Sequence, residues 1–181
     1  MTYWFTSDTH FSHDAIRQWY PARAKFADFK EQREALVDNW NSVIKPNDTV
    51  YHIGDFDHRG EDPAALVNRL NGKKILVAGN HDRKYLNNNR KFYEAFHQVY
   101  KDSYAEVTVN GQFIVMCHFP IWEWYQIHRG AWHLHGHLHG KPHGIPGKIM
   151  DVGVDGNNLM PYSFEEVQAF MASKPVRKHH G

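Results

Sequence analysis

Five short apolar runs in this chain each stop at a cluster of polar residues, and that punctuation limits the fold more than any other feature. Tyr3–Thr6 runs into Ser7-Asp8-Thr9-His10, and Thr49–Ile53 stops at Gly54-Asp55. Lys74–Ala78 stops at Gly79-Asn80-His81-Asp82, and Gln112–Cys117 stops at His118. The fifth run, AWHLHGHLHG, carries His133, His135, His137 and His139 at every second position. Apolar runs rich in β-branched and aromatic residues and bounded by Gly, Asp, Asn or Pro read as strands. Runs that are apolar throughout suit strands buried on both faces. Alternate residues of a strand share a face, so the alternating histidines can converge on one small object.

Helical patterns separate these strands. Lys30–Val43 places Leu36, Val37 and Trp40 on one face, with Pro46 as a stop. Asp62–Leu70 opens with Asp-Pro, an N-cap followed by proline at the first helical position. Arg90–Phe96 is a weaker third pattern, and Ser163–Met171 begins with a capping box, Ser163 with Glu166. Asn110-Gly111 between alternating runs predicts a hairpin. Alternating strands and helices argue α/β. The expected organisation is one domain over residues 1–172, with residues 173–181 a loose tail whose His179 and His180 can be native or added.

Composition excludes several classes. The formal charge of +1 over 181 residues offers no general attraction to nucleic acid or to a membrane surface. No apolar stretch approaches the ~20 residues of a membrane helix, and the first residues lack the pattern of a secretory signal. A single cysteine, Cys117, excludes an internal disulfide and fits a reducing compartment, so a cytoplasmic setting is expected. Cys117 lies inside an apolar run and reads as core.

Asp8, His10, Asp55, Asn80, His81, His118, His137 and His139 all fall at or just beyond strand ends, where open α/β sheets bind ligands. Imidazole and carboxylate together with an amide oxygen suit Mn, Fe, Zn, Ni or Co better than Ca or Mg. The candidates exceed what one four-coordinate ion can use. They fit two ions ~3.5–4 Å apart that share a bridging carboxylate.

The ordered stretches DTH at 8–10, GDFD at 54–57, GNHD at 79–82, the strand-end His118 and GHLH at 136–139 resemble the motif set of the calcineurin-like metallophosphoesterase superfamily. The resemblance runs from Thr2 to about Tyr162, and is nearest to the small single-domain bacterial and phage branch; GVD at 153–155 is also typical of it. It implies a four-layer α/β/β/α sandwich with two facing mixed sheets. It implies that Asp8, His10 and His139 hold one metal, that Asn80, His118 and His137 hold a second, and that Asp55 bridges them. His81 would give a proton to the leaving oxygen, with Asp82 orienting its imidazole. The implied cofactors are two divalent transition-metal ions, with Mn²⁺ expected first. The implied activity is hydrolysis of a small or nucleotide-type phosphate ester by a metal-activated water, leaning to diesters.

The remaining candidates concern substrate. If Ser12 caps a helix, His13 sits at its start and can meet phosphate. His58 lies in a loop that can line the cleft. Trp122, His128 and Arg129, in the aromatic stretch Phe119–Trp132, form either a substrate wall or a packed loop, and the same stretch can be a homodimer face. His135 is expected to be packed, and His133 and His143 to lie on the surface. Rival functions are a phosphomonoesterase of the same fold, a non-catalytic partner-binding scaffold and a metal-binding protein. No membrane partner is expected, and a long nucleic acid is not favoured.

Overall fold

The computed structural model describes residues 1–178, so His179 and His180 lie outside the described residues. In chain order the elements are β1 (Tyr3–Thr6), α1 (Phe29–Val43), β2 (Thr49–His52), α2 (Pro63–Arg69), β3 (Lys73–Val77), α3 (Asp82–Asn88), α4 (Arg90–Glu94), β4 (Gln98–Tyr100), β5 (Tyr104–Val109), β6 (Gln112–Cys117), β7 (Trp132–His135), β8 (Ile149–Asp151), β9 (Tyr162–Ser163) and α5 (Phe164–Ala172). They build two mixed sheets, ordered β4-β3-β2-β1-β9 and β5-β6-β7-β8. In the first sheet β1 to β4 run parallel and β9 is antiparallel to β1. In the second, β5 and β6 form the expected hairpin across Asn110-Gly111, and β6, β7 and β8 are parallel.

Side-chain alternation sorts the core into layers. Ile75 and Val77 of β3 face Ile114 and Met116 of β6, Trp132 and Leu134 of β7 and Met150 of β8 between the sheets. Val50, Leu76 and Ala78 point the other way, onto Leu36, Val37 and Trp40 of α1 and Leu66 and Val67 of α2. Among the described residues, the outer face of the second sheet carries no long helix. Val115 and Ile149 are covered by Trp124, Ile127 and Ala131 from the aromatic loop and its 3-10 turn at Ile127–Arg129. The fourth layer is therefore thin.

The helix ends follow local chemistry. Asp28 caps α1 through Lys30 and Glu31 amides, and Asp62 caps α2 ahead of Pro63. Ser163 and Glu166 form the predicted capping box of α5, a device that stabilises a helix by about 1 kcal/mol. The helix expected to start at Ser12 is absent. Ser12 instead gives its amide and hydroxyl to Asp57, and only a short 3-10 turn at Ala15–Gln18 follows. Three short strands, β4, β8 and β9, lie outside the sequence reading because two or three residues show no period.

His133 corrects another expectation. It is fully buried, because the outer face of β7 is roofed by Trp124, whose ring lies 5.3 Å away. Its Nδ1–H donates to the Val115 carbonyl at 3.1 Å, and its Nε2 accepts from the Ile121 amide at 3.2 Å. His143 is half-buried, edge-on to the packed ring of His135 at 5.3 Å. In the tail, Arg177 stacks over Trp122 at 4.8 Å and donates to its carbonyl.

Only the neutral imidazole satisfies both partners of His133, since a second N–H would oppose the Ile121 amide. Burial accordingly pushes its pKa down to about 3, and burial does the same to His52. The unfolded chain takes up these protons below the ordinary histidine value of 6.5 while the folded chain does not. Stability is thus full above that pH and falls as pH drops toward the folded value, by about 1.4 kcal/mol per pH unit for each such histidine. Denaturant titrations between neutral and mildly acid pH should show this slope. His133→Gln, which can still donate to Val115 and accept from Ile121, should flatten it by roughly one proton.

Candidate metal centre

The parallel strands deliver their following loops to one edge of the molecule. Beyond β1, Ser7 bridges to Gly153 in the segment after β8, so the first strand of one sheet continues against the last strand of the other. The Asp8 amide donates to the Gly54 carbonyl, the His10 amide to Asp55, and the Gly136 amide to His118. These bonds bring together loops from positions 8, 55, 118 and 137. Gly136 is required at this crossing, because a Cβ there would lie 2.4 Å from Asp8 Oδ2.

Two donor groups result. Asp8, His10 and His139 offer one, and Asp55, His118 and His137 the other, with the ligand atoms of each group within 4.8 Å of one another. His10 Nε2 lies 3.8 Å from Asp8 Oδ1 and 3.5 Å from Asp55 Oδ2, so it faces both groups. His118 Nε2 is 3.4 Å from Asp55 Oδ2, and His139 Nε2 is 3.7 Å from Asp8 Oδ1. Two ligands each ~2.1 Å from one ion at a tetrahedral angle stand ~3.4 Å apart, so these separations suit a shared cation.

The donor set fits divalent metals on independent grounds. Asp8 Oδ1 and His118 Nε2 are buried with no hydrogen-bond partner, a costly state for polar atoms unless an ion takes their lone pairs. Burial pushes the Asp8 carboxyl up to about 6. Burial also opposes the charge on His118, but the close Asp55 carboxylate, 3.4 Å away, and the charge of Asp8 outweigh it and carry the imidazole up to about 9. Burial would raise Asp55, and the adjacent His118 imidazole turns the shift downward. The carboxylates thus draw positive charge into the site. Asn80, the remaining predicted ligand, is exposed in the turn between Gly79 and His81, whose amides bond Asp82 and Asp55.

Residues around the donors fix their direction. His118 Nδ1–H donates to the Ile53 carbonyl at 2.8 Å, leaving Nε2 for the site. His139 Nδ1 lies 2.7 Å from Asp155 Oδ2. Asp155 is held by the fully buried Arg23 through two bonds, and Arg23 also donates to the carbonyls of Asp8 and Thr9. Arg23 was not foreseen as part of the site; a lone arginine in PARAK carries no period or motif. The GVD stretch was the one signal for Asp155. Metal-ligating histidines commonly need such a partner to set tautomer and ring orientation.

His81 and Asp82 divide differently from expectation. His81 Nε2 faces the site, 3.8 Å from Asp55 Oδ2, and its Nδ1 lies 2.8 Å from His58 Nδ1. Asp82 does not orient His81. Its buried carboxylate accepts from the amides of Asp55, Phe56 and Gly79, which use both oxygens. The imidazole is held by His58, against which His13 packs at 4.4 Å. Trp122, His128 and Arg129 form no wall of this cleft. Trp122 is engaged by Arg177, and the turn holding His128 and Arg129 packs on the outer face of the second sheet. From that stretch Phe119 reaches the site, 4.7 Å from the ring of His137.

An open groove of about 1040 Å³ runs outward from His81, lined by His13, His58 and Arg59 and, farther along, by Trp19, Lys30 and Arg33.

Comparison with known proteins agrees with this geometry. An uncharacterised protein of Methanocaldococcus jannaschii is 29% identical over 133 residues, 72% of this chain and 65% of its own length. Gene 66 protein of Mycobacterium phage L5 is 34% identical over 83 residues, 44% of this chain and 39% of its own length. This chain therefore spans less than two thirds of these relatives. A solved structure of a protein of unknown function from Aquifex aeolicus matches with a TM-score of 0.70 at 29% identity, covering 93% of this chain and 98% of that one. The sequence model of the calcineurin-like phosphoesterases matches residues 1–113, a span that holds DTH, GDFD and GNHD. With more than half its length matched, the chain belongs to the calcineurin-like phosphoesterase family.

Proposed function

We propose that this protein is a metal-dependent phosphoesterase that hydrolyses phosphodiesters at a dinuclear centre. The observation that carries this reading is the pair of donor groups that meet at Asp55, with His81 Nε2 turned toward the same carboxylate. Asp8, His10 and His139 would hold one ion, and His118, His137 and Asn80 the other, with Asp55 shared. Two divalent ions would supply charge neutralisation for the phosphate and a nucleophilic water at neutral pH. The proposed ions are Mn²⁺, and the proposed setting is the cytoplasm.

The chain's own groups perform the remaining work. Arg23 and Asp155 fix His139, and Ile53 fixes His118, so the donors need not reorganise when phosphate arrives. His81 stands at the mouth of the groove with Nε2 inward, placed to donate a proton to the departing alkoxide. His58 holds its Nδ1 and thereby its orientation. Diesters are the proposed class because a second ester substituent needs room beside His81, and the groove opens there.

Two predictions separate the roles. Hydrolysis of bis(p-nitrophenyl) phosphate should require added Mn²⁺. His81→Asn should lower kcat by about 10²–10⁴-fold while bound metal, measured by elemental analysis, stays at wild-type stoichiometry; Asp55→Asn should lose both metal and turnover. Loss of metal in His81→Asn, or metal-independent hydrolysis, would refute the assignment. Asp82→Asn places an amide donor against backbone N–H groups that all donate. It should cost about 3 kcal/mol in denaturant unfolding and weaken metal retention, whereas His58→Ala should lower kcat without either effect.

A further inference from the structure

The groove beyond His81 has a charge pattern that the metal centre does not explain. Four cations line it, Lys30, Arg33, Arg59 and Arg69, together with Asp14, Asp57, Glu61 and Asp62. Most of the acids are already committed. Asp14 pairs with Arg17, Asp57 accepts from Ser12, and Asp62 caps α2. Among the cations only Arg69 has a strong partner, a two-point pair with Glu34. Arg33 has a single looser contact with that same Glu34, at 3.4 Å, and Arg59 and Lys30 form no ion pair among the described residues. Arg33, Arg59 and Lys30 thus line the groove with N–H donors that no short ion pair occupies, while the carboxylates of Asp14, Asp57 and Asp62 are turned to other donors.

The groove is also shaped. Arg59 holds a left-handed backbone at φ 63°, and a Cβ on the following Gly60 would lie 2.0 Å from Asp57 Oδ2. The loop is thus folded tightly against Asp57, which presents Arg59 to the groove at a conformational cost that local function often explains. At the rim Trp19 is 61% exposed, with His13 edge-on to it at 5.4 Å. An exposed indole on a groove wall offers a planar face for a ring to stack on.

We propose that this groove is a subsite for a second anion, so that the ester hydrolysed at the centre is nucleotide-type and carries a further phosphate. The ring stacks on Trp19, and Arg33 and Arg59 take the added phosphate through charge-assisted bonds. This rests on the phosphoesterase reading and names its substrate class.

Two substrates with one leaving group test it: the p-nitrophenyl ester of thymidine 5′-phosphate, and the same compound carrying a 3′-phosphate. Mn²⁺-supplemented wild type should show kcat/KM about tenfold higher for the second compound, and Arg33→Gln should bring the ratio close to one. Trp19→Ala should lower kcat/KM for both thymidine compounds relative to bis(p-nitrophenyl) phosphate by about tenfold. A wild-type ratio near one, or an unchanged ratio in Arg33→Gln, overturns the subsite; general damage would lower both rates together and leave the ratio intact. If none of the three esters is hydrolysed, the phosphoesterase reading fails, and calorimetric titration of thymidine 3′,5′-bisphosphate decides the groove alone. Binding that Arg33→Gln weakens about tenfold supports it, and absent or equal binding overturns it.

Discussion

The site depends on a carboxylate that never meets the chemistry. Asp82 is fully buried, and its two oxygens gather amides from the loop after β2 and the loop after β3. Three directed bonds from separate loops leave little freedom in how those loops sit. They fix Asp55, whose Oδ1 then accepts the His81 amide while Oδ2 faces His10 and His118. Burial pushes the Asp82 carboxyl up to about 6, so the clamp is itself expensive to ionise. It persists because a neutral or amide side chain would leave converging N–H groups unanswered.

The geometry has a second cost in the backbone. Asp8, His10, Asp55, His137 and His139 all have φ between 44° and 70°. L-residues enter the left-handed region reluctantly, at roughly 1 kcal/mol or more each. Five candidate ligands share that conformation because each must turn sharply at a strand end to point back over the sheet edge. Arg23 is the compensating element. Buried without solvent, it draws in the Asp8 and Thr9 carbonyls and locks Asp155 under His139. The strain and its restraint lie in the same few residues.

This explains what the sequence could disclose. The strands β1, β2, β3, β6 and β7 were legible because each apolar run is long enough to show its composition and ends in turn-forming residues. The candidate ligands that the fold brings together were legible from residue type at those ends. His133 was misplaced to the surface because a strand pattern reports which residues share a face but not whether that face is covered; its roof comes from Trp124, several residues away in a loop without period. His137 and His139 continue the alternation of His133 and His135 in sequence, yet they lie past the end of β7, where the left-handed turn, and not the pleat, aims them. Asp82 looked like an orienting partner for His81 because the two are adjacent, but neighbouring residues at a helix start point in different directions. His58 comes from another loop, and only the tertiary fold shows it touching His81.

Charge ties the site to its surroundings. The buried donor groups and the groove beside them offer different chemistry to a ligand, carboxylates in the first and guanidinium donors in the second. Asp8 and Asp55 are buried where only cations can balance them, while Arg33, Arg59 and Lys30 line an open groove whose Asp57 and Asp62 carboxylates are turned to Ser12 and to the α2 amides. His13, His58 and His81 stand between the two zones, ring against ring. Burial and the neighbouring positive charges push His13 down to about 4 and lower His58, so near neutral pH these two rings are uncharged and extend the groove without repelling a cation in the site. On the proposed reading, a molecule that spans both zones would place one anionic group at the metal centre and another against the arginines. Such an arrangement selects for the spacing between two negative charges, which neither zone could do alone.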